Sequence, residues 1–132
     1  MVISQADRDE LLAHARESVP NECCGYARAR KGRVEEAFRA ENVLETSQRY
    51  GYKLDSASLF RTHQLEDDGF EVVVYHSHPE SPAEPSQTDI NLATMWPDPV
   101  YLICSIADPD EPQLRGWEIR DGKVQEVELV VE

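Results

Sequence analysis

The 132-residue chain is short of positive charge: 13 Lys and Arg stand against 26 Asp and Glu, a formal net charge of −13. Such a surface repels nucleic-acid phosphates unless a basic patch offsets it. The one cluster, Arg28 to Arg33, reads as a hairpin tip, so no nucleic-acid partner is expected. Cysteine is equally scarce: Cys23, Cys24 and Cys104 are an odd count without Cys-x-x-Cys spacing. Neither a disulfide framework nor a structural zinc site of thiolates follows, and a reducing, cytoplasmic setting fits better. No apolar run approaches the roughly 20 residues of a membrane span, and no basic-then-apolar leader opens the sequence, so no membrane is expected. The length suits one domain over residues 1–132, without repeats, linkers or low-complexity segments. A homodimer is left open.

What the chain does hold is one concentrated stretch, Val72 to Leu92. The apolar run Val72-Val73-Val74-Tyr75 leads into His76-Ser77-His78 and stops at Pro79, which predicts a strand with histidines at its C-terminal end. Alternation sends residues 76 and 78 to one face, where their imidazoles can converge on a single atom. Pro79, Pro82 and Pro85 make the next segment a loop. Ser86, followed three residues later by Asp89 and then by apolar residues, is a helix-start signature. Two same-face histidines and a returning carboxylate are three ligands, and three ligands with an open fourth position is the arrangement of catalytic zinc. Asp89 is equally what a helix N-terminus favours as a cap, and an isolated His-x-His is weak. The full spacing, with seven residues between His78 and Ser86 and two more before Asp89, is far more demanding.

The remaining elements can be placed around that stretch. Ser4 with Asp7 caps a helix over about 5–18, closed by Pro20, in which His14 is expected to be exposed or partly packed. Glu22 to Ala29 reads as a strand, turning at Lys31-Gly32 into a second from Val34 to about Arg39. Gly25 there allows close backbone approach. Adjacent Cys23 and Cys24 should face opposite sides. Tyr50 to Leu54 suggests a short strand, and Asp55 caps a helix over 56–67 carrying His63. A helix over 86–95 is followed by a buried strand over 100–106 and a hairpin of 114–120 with 124–131 about Asp121-Gly122. The fold class is α/β: a mixed, largely antiparallel sheet with helices on its faces.

The residues His76-Ser77-His78-Pro79, Pro85-Ser86 and Asp89, with Glu22-Cys23-Cys24-Gly25 upstream, resemble the signature of the JAMM (MPN+) zinc metalloproteases, and the order of elements is similar over nearly the whole chain. The resemblance implies a JAMM/MPN-like, cytidine-deaminase-like sandwich. It implies that His76, His78 and Asp89 bind Zn2+, that Glu22 is the general acid/base and that Ser86 helps to stabilise the oxyanion. It further implies hydrolysis of a peptide or isopeptide bond at the Gly-Gly tail of a ubiquitin-like or sulfur-carrier protein. Glu22 alone, at a strand start, would carry no such weight. Three alternatives stand beside this reading: iron in a two-histidine, one-carboxylate site, a nucleophilic Cys24, and a non-catalytic MPN-type protein-binding module.

Overall fold

A computed structural model describes residues 1–132. In chain order the elements are β1 (Val2–Ile3), α1 (Gln5–Ser18), β2 (Cys24–Arg30), β3 (Arg33–Ala40), α2 (Ser56–Asp67), β4 (Glu71–His78), α3 (Gln87–Ala93), β5 (Val100–Ser105), β6 (Gln113–Arg120), β7 (Lys123–Val127) and β8 (Val130–Val131). No helix is long and apolar enough to cross a membrane.

β4 is the spine. It pairs antiparallel with β2, setting Cys24 opposite His76, and parallel with β5, setting His76 opposite Ile103. Every residue from Val72 to His78 is buried, which is why the sequence there is continuously apolar until the histidines. The pleat divides it: Val73 and Tyr75 pack with Leu102, Cys104 and the α1 residues Leu11, Leu12 and Ala15. Val72 and Val74 pack with Tyr101, Ile103, Leu65 of α2 and Ala93 of α3. Each aliphatic side chain buried this way contributes about 1.5–3 kcal/mol. His76 and His78 continue the second face, towards α2 and α3.

The caps predicted for α1 and α2 are present: Ser4 Oγ accepts from Asp7 N–H and an Asp55 carboxylate oxygen from Ser58 N–H. The hairpin tips at Lys31-Gly32 and Asp121-Gly122 have positive φ at both positions, the conformation a two-residue turn demands. Arg28 and Arg30 at the first tip are tied to Glu35 and Glu36 and lie over Phe70, so this cluster is engaged within the protein. At Gly25 the expected close approach is extreme. A Cβ there would lie 2.3 Å from the Tyr75 ring and 2.5 Å from the Phe38 carbonyl oxygen.

Four expectations are corrected. The segment 124–131 divides: β7 pairs with β6, whereas β8 pairs in parallel with β1 at the other end of the order β7-β6-β5-β4-β2-β3-β1-β8. Only two residues join β7 to β8, a reach of about 10 Å, so the sheet curls until its edges approach. Tyr50 to Leu54 forms no strand, only a bridge between Leu54 and Asn42. α3 ends at Ala93, two residues early. His14 is buried, its Nδ1 2.7 Å from Tyr75 Oη.

Candidate metal centre

The centre forms where β4 ends and the chain returns through α3. Ser86 is the N-cap of α3, its Oγ accepting from Asp89 N–H at 3.1 Å, while Asp89 Oδ2 accepts from Ser86 N–H at 2.9 Å. This reciprocal cap fixes Asp89 in the first turn with its carboxylate turned back to the strand. The same Oδ2 lies 3.0 Å from His78 Nε2 and 3.2 Å from His76 Nε2, and the two Nε2 atoms are 3.2 Å apart. All three residues are buried.

Those three edges discriminate among ions. Tetrahedral coordination at about 2.0–2.1 Å places ligand atoms about 3.3 Å apart, whereas calcium at about 2.3–2.6 Å needs a wider set of oxygens. The donors suit a small ion with a taste for imidazole. His78 makes the case chemically: its Nδ1 is 2.7 Å from the Pro82 carbonyl, which can only accept, so the neutral ring carries its proton there and presents the Nε2 lone pair to the centre. A lone pair facing a carboxylate oxygen at 3.0 Å is repulsive unless a cation lies among them. The same logic appears in the proton equilibria. Burial opposes charge on His78, but Asp89 and the Pro82 carbonyl outweigh it and its pKa is raised. Burial would raise Asp89, yet His76, His78 and the Ser86 amide hold it well below the ordinary carboxylate range. His76 stacks on Tyr52 with ring centroids 4.4 Å apart, and its Nδ1 is buried without a partner.

Glu22 reaches the centre by strand pairing. It lies two residues before β2, not within it, but the ladder to β4 continues past the strand's formal start: Ser77 N–H donates to Cys23 O at 3.1 Å and Cys23 N–H to Ser77 Oγ at 2.8 Å. Register therefore carries Glu22 towards His78. Its own backbone is held by the loop before α2, with Glu22 N–H donating to Gln48 O at 2.8 Å and Asn42 Nδ2 donating to Glu22 O at 3.0 Å. Its Oε1 is buried and unpartnered. Burial pushes the carboxyl up to about 7, with His76 and His78 pulling it down and Asp89 pushing it up.

Glu22, His78 and Ser86 line a cleft of about 350 Å³ with Arg49, Tyr50 and Glu80 among its other walls. Ser86 Oγ accepts in the cap, so its O–H proton is still available to donate. Cys24 is fully buried, and burial pushes its thiol up to about 12; Cys23, on the opposite face, is pushed up to about 11. Neither supplies an accessible thiolate, which removes the nucleophilic-cysteine alternative. His63 lies apart, on the exposed side of α2 with its ring 6.2 Å from Trp96. Motif spacing gives no sign of the supporting roles of Asn42, Gln48, Tyr52 and Pro82, which act through side-chain or carbonyl contacts that have no sequence period.

Compared with known proteins, residues 4–120 match the model of a family described as prokaryotic homologs of the JAB domain. A CysO-cysteine peptidase of Mycobacterium tuberculosis is 39% identical over 120 residues, covering 88% of this chain and 80% of that protein. A desampylase of Haloferax volcanii is 36% identical over 132 residues, covering 95% and 91%. The crystal structure of a JAB1/MPN domain protein from Archaeoglobus fulgidus has the same fold, with a TM-score of 0.62, 22% identity, and 99% of this chain and 98% of that one covered.

Proposed function

We infer, for a chain that belongs to the prokaryotic JAB-domain family, that this JAMM-type hydrolase uses a zinc ion held by His76, His78 and Asp89 to cleave the C-terminal tail of a ubiquitin-like or sulfur-carrier protein. The observation that carries the reading is the buried triangle of two Nε2 atoms and one Oδ2 with edges of 3.0–3.2 Å. When bound, the ion supplies Lewis acidity, polarising the scissile carbonyl and making water a nucleophile near neutral pH.

The chain's own groups do the rest. Glu22, buried at the edge of the cleft with its Oε1 unpartnered, takes a proton from the attacking water as its oxygen bonds to the carbonyl carbon. As the C–N bond breaks, the same carboxyl delivers that proton to the departing amine, and the water's second proton leaves the new tail carboxyl for the amine or solvent, giving a carboxylate and an ammonium group. Ser86, with its O–H free to donate into the cleft, stabilises the developing oxyanion. The names of the relatives, a CysO-cysteine peptidase and a desampylase, support a carrier tail as substrate, released from a terminal cysteine or from a conjugated protein. Three free, buried cysteines suit the cytoplasm. A module that only binds protein would have no use for three buried donors converging on a point.

The test is incubation of zinc-loaded protein with Gly-Gly-tailed carriers bearing a C-terminal amino acid or an isopeptide-linked partner, read by intact mass. Glu22→Gln lowers cleavage by about 10²–10⁴-fold and keeps the metal, measured by elemental analysis, while Asp89→Ala loses both. Full activity in Glu22→Gln would refute the acid/base role, and iron instead of zinc in the purified protein would refute the cofactor.

A further inference from the structure

The cleft in front of the centre has a feature that hydrolysis of a tail does not require: a permanent cation. Arg49 lines it together with Glu22, Tyr50, Glu80 and Ser86. The guanidinium Nη2 donates to Glu80 Oε1 at 2.7 Å, and both side chains are about half exposed, at 49% and 55%. An ion pair so exposed is weak and readily exchanged for another carboxylate.

The loop that carries Arg49 is nonetheless fixed. Asn42 Nδ2 donates to Gly51 O at 3.1 Å as well as to Glu22 O, and its Oδ1 accepts from Leu44 N–H at 3.1 Å and Lys53 N–H at 3.2 Å. Gln48 Nε2 donates to Asn42 O at 3.0 Å and Leu44 O at 2.9 Å. Because Gln48 O also receives Glu22 N–H, Arg49 is the next residue after the one bonded to the backbone of the general acid/base. The group that protonates the departing nitrogen and the guanidinium therefore share one frame.

The chemistry of the leaving group supplies the rest. When the departing amine belongs to a single amino acid, a free carboxylate lies two bonds from the nitrogen. Glu22 and Glu80 wall the cleft on a chain of net charge −13, and apart from the inferred metal, which the scissile carbonyl engages, the guanidinium of Arg49 is the one Lys or Arg group lining it that can meet that carboxylate. A lysine side chain brings no carboxylate near its nitrogen. We propose that Arg49, exchanging Glu80 for the substrate, binds the α-carboxylate of one amino acid on the leaving side of the scissile bond. The cleft then selects tails extended by a single free amino acid over tails joined to lysine. This rests on the tail hydrolysis inferred above.

The experiment uses the zinc-loaded full chain and a sulfur-carrier protein ending in Gly-Gly joined to cysteine, to cysteine amide, or to the Nε of a lysine peptide. The wild type prefers the free acid over the amide by about ten- to hundredfold in kcat/KM, expressed mainly in KM, as expected for a charge-assisted contact. Arg49→Gln brings that ratio to within about twofold and Arg49→Lys leaves it intermediate. A ratio near one in the wild type, or a ratio unchanged by Arg49→Gln, overturns the assignment. Binding of the same three carriers to Glu22→Gln by calorimetry separates the two readings. An Arg49-dependent preference for the acid without cleavage by the wild type sinks the hydrolase and keeps the carboxylate site; equal cleavage of all three does the reverse.

Discussion

The two faces of β4 treat polar atoms in opposite ways. On the α1 side, Tyr75 Oη meets His14 Nδ1 at 2.7 Å and Ser77 Oγ receives Cys23 N–H at 2.8 Å, so each buried polar group on that face has a partner. On the α2 and α3 side, His76 Nδ1 and Glu22 Oε1 are buried with none. A satisfied buried pair stabilises and specifies a fold, whereas an unsatisfied one costs stability. One strand thus carries paired polar groups on one side and the proposed chemistry on the other, its alternating pattern separating the two by a single residue.

The largest effect that tests this contrast is on rate. Glu22→Gln on the chemistry side should lower hydrolysis by about 10²–10⁴-fold, whereas Tyr75→Phe on the paired side should leave kcat/KM within about twofold. Similar losses in both would mean that the faces are not separate in function.

Stability should divide the other way. Gly25→Ala forces a Cβ to within 2.3 Å of the Tyr75 ring and 2.5 Å of the Phe38 carbonyl oxygen, and neither backbone nor a packed ring can move aside cheaply. A loss on the order of 4 kcal/mol or more is expected by denaturant unfolding. Tyr75→Phe keeps the ring over Gly25 but leaves His14 Nδ1 buried alone, for a loss of about 1–3 kcal/mol. A neutral Tyr75→Phe would show that His14 finds another partner.

How much of this was legible in the sequence depends on the distance over which each feature is determined. His76, His78 and Asp89 are legible because strand alternation and a helix cap, both local rules, place all three within 14 consecutive residues. Ser4 and Asp55 mark their helices for the same reason. Glu22 needs the pairing of β2 with β4, more than 50 residues apart, which only the family resemblance supplied. The burial of His14 depends on a tyrosine 61 positions away. The loop from Asn42 to Lys53 is held by side-chain bonds to backbone, which have no period, so composition alone points to a strand at Tyr50 to Leu54 that these bonds replace. The division of β7 from β8 follows from curling of the whole sheet, a property of no single segment.

An effect confined to part of the pH range bears most directly on the cost of the chemistry face. In metal-free protein, the Glu22 carboxyl is pushed up to about 7 from an ordinary 4.5, so the folded state holds its proton more tightly than the unfolded chain does. Below about pH 4.5 both states are protonated and Glu22 contributes nothing. Between about 4.5 and 7 the unfolded chain alone ionises, and stability falls as pH rises; above about 7 the penalty levels off, on the order of 2–3 kcal/mol. His78, whose raised pKa favours the folded state at low pH, adds a further fall above about 6.5 in any variant that retains it. The informative quantity is therefore the difference between proteins. Chelator-treated Glu22→Gln should match the wild type at pH 4.5 and exceed it by on the order of 2–3 kcal/mol at pH 8, although it no longer turns over substrate. Parallel stability curves for the two proteins from pH 4.5 to 8 would show that Glu22 is not desolvated, and that the unpaired face of β4 exacts no cost.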